Sequence, residues 1–100
     1  MFINAITTND SSIKNLIKDI RDKSDYSIPI QRRLIRFKNG CELSVISGFG
    51  TYGGEQGLFE IRPVNINEET EERIDCENED VRGYIDLDEL QEIIGIIGRQ

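Results

Sequence analysis

Hydrophobic positions recur along this chain with two different periods. From Arg33 to Val45 the period is two. Ile35, Phe37, Cys41, Leu43 and Val45 share one face only if the three-residue loop Lys38-Asn39-Gly40 joins two strands. That register sets Phe37 against Cys41, Ile35 against Leu43 and Arg33 against Val45. A two-residue Asn-Gly loop would put Ile35 and Phe37 beside Glu42 and Ser44 instead. A one-residue slip sends every side chain to the opposite face, so the hydrophobic pattern selects the longer loop, with Gly40 in the left-handed position of a bulge. Arg36 then faces Glu42 on the outer surface, a pair worth about 0.2–1 kcal/mol at most. Strands are predicted over 30–38 and 41–47, and a third over 58–66 with Phe59 and Ile61 inward and Pro63 bending or ending it.

Two other stretches follow the helical period. Ile13, Leu16, Ile17 and Ile20 fall at i, i+3, i+4 and i+7, which predicts a helix over 11–23. Asp10, Ser11 or Ser12 would cap its start, and Lys18, Arg21 and Lys23 suit the negative end of its dipole. Leu90, Ile93, Ile94 and Ile97 repeat in the same way. Asp86 as N-cap, with Glu89 three residues later, predicts a helix over 87–98. Gly95 weakens it by about 1 kcal/mol relative to alanine. Phe2 to Ile6 reads as a short strand or a segment packed on the core. Residues 67–80 read as an acidic loop with a short strand at Thr70–Ile74, and Val81–Ile85 as the approach to the last helix. Two helices and one antiparallel sheet, each with a single apolar face, have one economical arrangement. It is a single two-layer α+β domain over 1–100, in which an antiparallel sheet of three to four strands carries an N-terminal and a C-terminal helix on one face.

Charge adds an asymmetry. The net charge is −7. Residues 1–62 hold nine Lys and Arg against seven Asp and Glu, whereas residues 63–100 hold three against twelve. Such an acidic half argues against direct nucleic-acid binding, which needs clustered positive charge. The basic residues Arg32, Arg36 and Lys38 point away from the core and read as a solvated strand face. No apolar run approaches the length of a membrane span, and residues 1–10 have neither the basic region nor the apolar core of a secretory signal. The two cysteines, Cys41 and Cys76, read as free thiols in a reducing cytosol. The chain has no histidine, which removes Ser-His-Asp and Cys-His catalysis and disfavours zinc. No catalytic residue, cofactor or metal site is expected.

Five of the nine glycines fall between Gly48 and Gly57. A GxGxxG pattern is present at Gly48–Gly53, but a dinucleotide fingerprint must open a helix after a strand. Here another strand follows, and no lysine stands where a phosphate-binding loop needs one. The segment reads as a connection between antiparallel strands, with Phe49, Tyr52 and Glu55 available for a partner. Asp75 to Asp80 has the acid density of a calcium loop but lacks its glycine at the sixth position, where Asp80 stands.

Leu43–Ile61, followed by Val81–Ile97, resembles a group of small phage and prophage proteins of unassigned function. Those have a hairpin ending in SVI-x-G, a GTYGG loop, an LFE-type strand and a GYL-type turn before a final helix. Here Ser44–Gly48, Gly50–Gly54, Leu58–Glu60 and Gly83–Ile85 match, with isoleucine in place of the last leucine. The match covers about a third of the chain and brings no catalytic residues with it. It implies a small protein of a phage or mobile element, working in the cytoplasm of the host cell. The expected function is therefore non-catalytic: binding and blocking a host or defence protein, as an anti-CRISPR or other anti-defence inhibitor. Glu68, Glu69, Glu71, Glu72, Glu77, Glu79 and Asp80 would meet a basic, nucleic-acid-binding surface of that partner. Phe49 and Tyr52 would anchor the contact, with Glu55 beside them. One alternative is a structural or accessory phage protein that forms a homodimer through its last helix. Another is a small-ligand-binding protein or enzyme using the glycine-rich loop.

Overall fold

The structure, a computed structural model, describes residues 11–48, 58–77 and 81–100. The elements are α1 (Ser11–Lys14), β1 (Ile17–Asp22), β2 (Ile30–Phe37), β3 (Glu42–Gly48), β4 (Phe59–Pro63), β5 (Arg82–Ile85) and α2 (Leu87–Gly98). The strands form one antiparallel sheet in the order β1-β2-β3-β4-β5, so each strand pairs with its neighbours in sequence. The α+β class holds, but the sheet has five strands among the described residues rather than three to four.

The central hairpin adopts the register that its hydrophobic pattern selects. Ile35 pairs with Leu43, Arg33 with Val45 and Arg36 with Glu42. The Phe37 amide donates to the Cys41 carbonyl at 2.9 Å, and Gly40 has φ +92°. A residue with a Cβ is strained at that angle, which explains the glycine. Pro63 ends β4, which is shorter than the predicted 58–66.

The helix expected over 11–23 is the principal correction. Only Ser11–Lys14 is helical, and Ile17–Asp22 is an edge strand on β2. The physical reason lies in a bulge. Ile17 pairs with Phe37 and Ile20 with Ile35, with the register shifting between Ile17 and Asp19. Two residues thus separate Ile17 from Ile20 where one separates Phe37 from Ile35. The extra residue brings both isoleucines to the core face at a spacing of three, which imitates a helical period. Strand pairing on the open edge of β2 suits β-branched side chains and overrides the pattern. The segment Val81–Ile85, expected as an approach to the last helix, supplies the fifth strand at the other edge.

α2 lies over the sheet as predicted. Asp86 caps it by accepting from the Glu89 amide at 2.8 Å. Glu89 does not complete a reciprocal box; its carboxylate pairs with Arg82 of β5 instead. Leu90, Ile93, Ile94 and Ile97 are buried against Ile35, Leu43, Val45, Phe59, Ile61 and Ile85, and Ile13 of α1 joins the same cluster. Both helices therefore sit on one face. The end of α2 is fixed by the β2–β3 turn, since the Asn39 side-chain amide donates to the carbonyl of Ile97 at 2.9 Å. Gly98 permits that approach: a Cβ there would lie 2.9 Å from Leu16 Cβ and 3.0 Å from Phe37 Cδ1. The apolar stripe of α2 is used on its own sheet, and Ile96 is its exposed apolar side chain, at 58%.

Candidate functional site

The acidic segment after β4 is built, not loose. Residues 65–74 form a small hairpin in which Ile66 bridges Arg73, the Asn67 amide donates to Glu72 at 2.9 Å and the Ile74 amide donates to Asn65 at 2.8 Å. Asn67 organises the turn. Its side-chain oxygen accepts from the amides of Glu69 at 2.9 Å and Thr70 at 3.0 Å, as short polar side chains do at turns. Glu71 closes it with φ +59°. Within the acidic segment expected over 67–80, the described residues 67–77 thus follow a turn closed by a single bridge, and no strand forms at Thr70–Ile74.

The hairpin tip lies on the face of the sheet opposite α2. The Asn67 side chain donates to Glu42 Oε2 at 3.1 Å, where Glu42 is only 4% exposed. Glu69 forms an ion pair with Arg21 of β1, and Glu68 Oε2 sits 3.1 Å from Lys23 Nζ. The Arg21 hydrogen bond, reinforced by its charge and by the charges of Arg36 and Lys18, holds the Glu69 carboxyl below its ordinary pKa. Arg36 has Asp19 at 3.3 Å and Glu42 across the strand. Of the three basic residues read as a solvated strand face, Arg32 and Lys38 are exposed, and Arg36 is half-buried and paired. Arg33 and Arg36 pair with Asp22 and Asp19 of the neighbouring strand, whereas the partners of Arg21 and Lys23 are acids 48 and 45 residues away, and no local pattern announces those.

The return of the hairpin is fastened covalently. Cys76 forms a disulfide with Cys41, at a Cα–Cα distance of 5.8 Å. The expectation of two free thiols is corrected: the chain wraps around the turn between β2 and β3 and brings Cys76 onto the core-facing cysteine. Gln100 holds the next residue, its side-chain oxygen accepting from the Glu77 amide at 2.9 Å. Between this return segment and the Asn39–Gly40 turn lies an open polar cleft of about 320 Å³, with Thr70, Glu72, Arg73 and Asp75 along it.

The seven acids predicted as a contact surface thus separate. Glu68 and Glu69 are exposed, but their carboxylates already pair with Lys23 and Arg21 of the same chain. Glu71, Glu72 and Glu77 are exposed, as is Asp75, which sequence reasoning left out of the contact set. Glu79 and Asp80 lie outside the described residues, as do Phe49, Tyr52 and Glu55 of the glycine-rich loop and the predicted strand at Phe2–Ile6. Among the described residues no three acidic or cysteine side chains gather as a metal site, and no helix is long and apolar enough to cross a membrane. Ile66, on the hairpin itself, is 61% exposed. Compared with protein-family models, curated proteins and solved structures, the chain matches none.

Proposed function

We propose that this chain is a non-catalytic binding protein that occupies a basic surface on another protein, with the acidic hairpin as its contact element. One observation carries the reading: Glu71, Glu72, Asp75 and Glu77 are exposed on an element fixed at its tip by ion pairs and at its return by a disulfide. Charges held in place before binding lose little conformational freedom when they dock, and they steer encounter with a basic partner. Ile66 supplies an exposed apolar contact on the same hairpin.

The resemblance to phage proteins supports the choice of target class. It favours a host or defence protein whose nucleic-acid-binding surface the hairpin would cover, which is the action of an anti-CRISPR or related inhibitor. Placement in the host cytoplasm rests on that resemblance, because the paired cysteines do not argue for it. The test is affinity capture from nuclease-treated bacterial lysate, comparing the native chain with Glu71→Lys/Glu72→Lys/Asp75→Lys/Glu77→Lys. All four positions are exposed, so circular dichroism should report an unchanged fold. Loss of one dominant captured protein in the variant is the expected result. Capture that survives the reversal would sink the acidic-surface reading.

A further inference from the structure

A second site lies on the opposite, basic side of the same hairpin. Beside Asn67 there is a cavity of about 140 Å³, lined by Lys18, Arg36 and Lys38 together with Glu42. Two backbone features assemble it. The bulge in β1 leaves Lys18 between the paired residues Ile17 and Asp19, exposed and off the core face. Bulges re-aim side chains in this way, often beside functional sites. The Lys38 amide donates to the Leu16 carbonyl at 3.0 Å, which ties the hairpin turn to the start of β1 and brings the two lysines to one rim.

Neither lysine makes an ion pair among the described residues. Glu42 is engaged, hydrogen-bonded by Asn67 and paired in register with Arg36. Arg36 is itself paired with Asp19 at 3.3 Å, so the positive charge that the chain leaves unpaired at the cavity is that of the two lysines. The chain also provides its own test of what the cluster attracts. The Glu69 carboxylate, outside the cavity lining, is bonded to Arg21 and drawn by Arg36 and Lys18.

We propose that the cavity between Lys18, Arg36 and Lys38 binds a dianionic phosphoryl group. Two lysines without ion pairs supply the charge that a dianion needs and a carboxylate would leave half-used. Arg36 offers planar N–H donors, and the space is of a size for one compact oxyanion. This inference is independent of the partner reading above, which uses the exposed acids.

The experiment titrates the chain with inorganic phosphate and, separately, with adenosine monophosphate at constant ionic strength, following Tm and the backbone amides of Lys18 and Lys38. A ligand that binds only the folded state raises Tm with its concentration. The expected result is a saturable shift, with affinity reduced by roughly tenfold or more in Lys18→Gln/Lys38→Gln, since two charge-assisted contacts are lost. Lys14→Gln, which removes a charge away from the cavity lining, should bind as the native chain does. Equal affinity for the two probes identifies the free phosphoryl group as the ligand, and tighter nucleotide binding identifies the group as part of a nucleotide. No saturable shift with either probe, or an unchanged shift in the double variant, overturns the proposal.

Discussion

On one face of the sheet, Ile35, Leu43, Val45 and Ile61 lie against Leu90, Ile93, Ile94 and Ile97, none more than 4% exposed. On the other, Arg21 meets Glu69, Arg36 meets Asp19 and Glu42 meets Asn67 through directed polar contacts. Apolar burial is proportional to area and indifferent to direction, so the first face contributes most of the stability. Ion pairs near solvent contribute little to stability, but they allow few geometries. The second face thus fixes where the acidic hairpin sits more than whether the chain folds.

Three substitutions would break or sharpen that contrast. Ile94→Ala, at a fully buried position, should cost about 2–5 kcal/mol in urea unfolding, because it removes apolar contacts and leaves a cavity. A smaller loss would mean that α2 re-seats easily and that the apolar face is less specific than it looks. Cys76→Ser removes a cross-link spanning 35 residues. It should cost about 3 kcal/mol, through the greater freedom of the unfolded chain, without exposing either face in the native state. Unchanged stability would show that the return segment is held by Gln100 and the hairpin alone.

Glu69→Gln should have the smallest effect on unfolding and the largest on local order. Hydrogen exchange at the Glu69 and Thr70 amides should quicken, while exchange in β2 and β3 stays as it was. Acid should act in the same direction. The folded-state pKa of Glu69 is lowered from 4.5, so its contribution is complete above that value and is lost as pH falls through the lowered one. Added salt should loosen the tip at neutral pH by screening the same pair. A tip equally protected in acid, in salt and in the variant would mean that the Asn67 turn alone holds the hairpin.

The same contrast explains what could be read from the sequence. The β2–β3 register and α2 were legible because each carries a local signal: the alternation around Asn39-Gly40, and Asp86 ahead of an apolar period. β1 was misread because its bulge sets two core isoleucines three residues apart. β5 is four residues long and includes Tyr84 at φ +56°, so it has too little alternation to register as a strand. The hairpin over the basic face and the disulfide left almost no trace. Arg21 and Glu69, or Cys41 and Cys76, are neighbours only after the chain has folded around the sheet. Of the expected contact acids, Glu68, Glu69, Glu71, Glu72 and Glu77 are all exposed, and only the tertiary structure shows that the first two are also paired with Lys23 and Arg21.

The meander has a consequence for how the chain assembles. Every strand pairing joins neighbours in sequence, so each closes a modest loop, and the sheet can grow outward from the β2–β3 hairpin without waiting for distant segments. The Asn39 side chain, by contrast, waits for the far end of the chain. Its amide finds its acceptor 58 residues further on, at the end of α2. During synthesis the β2–β3 hairpin can form early, but its turn stays incompletely bonded until α2 has emerged and docked. The tip of the earliest structure is thus completed by one of the latest.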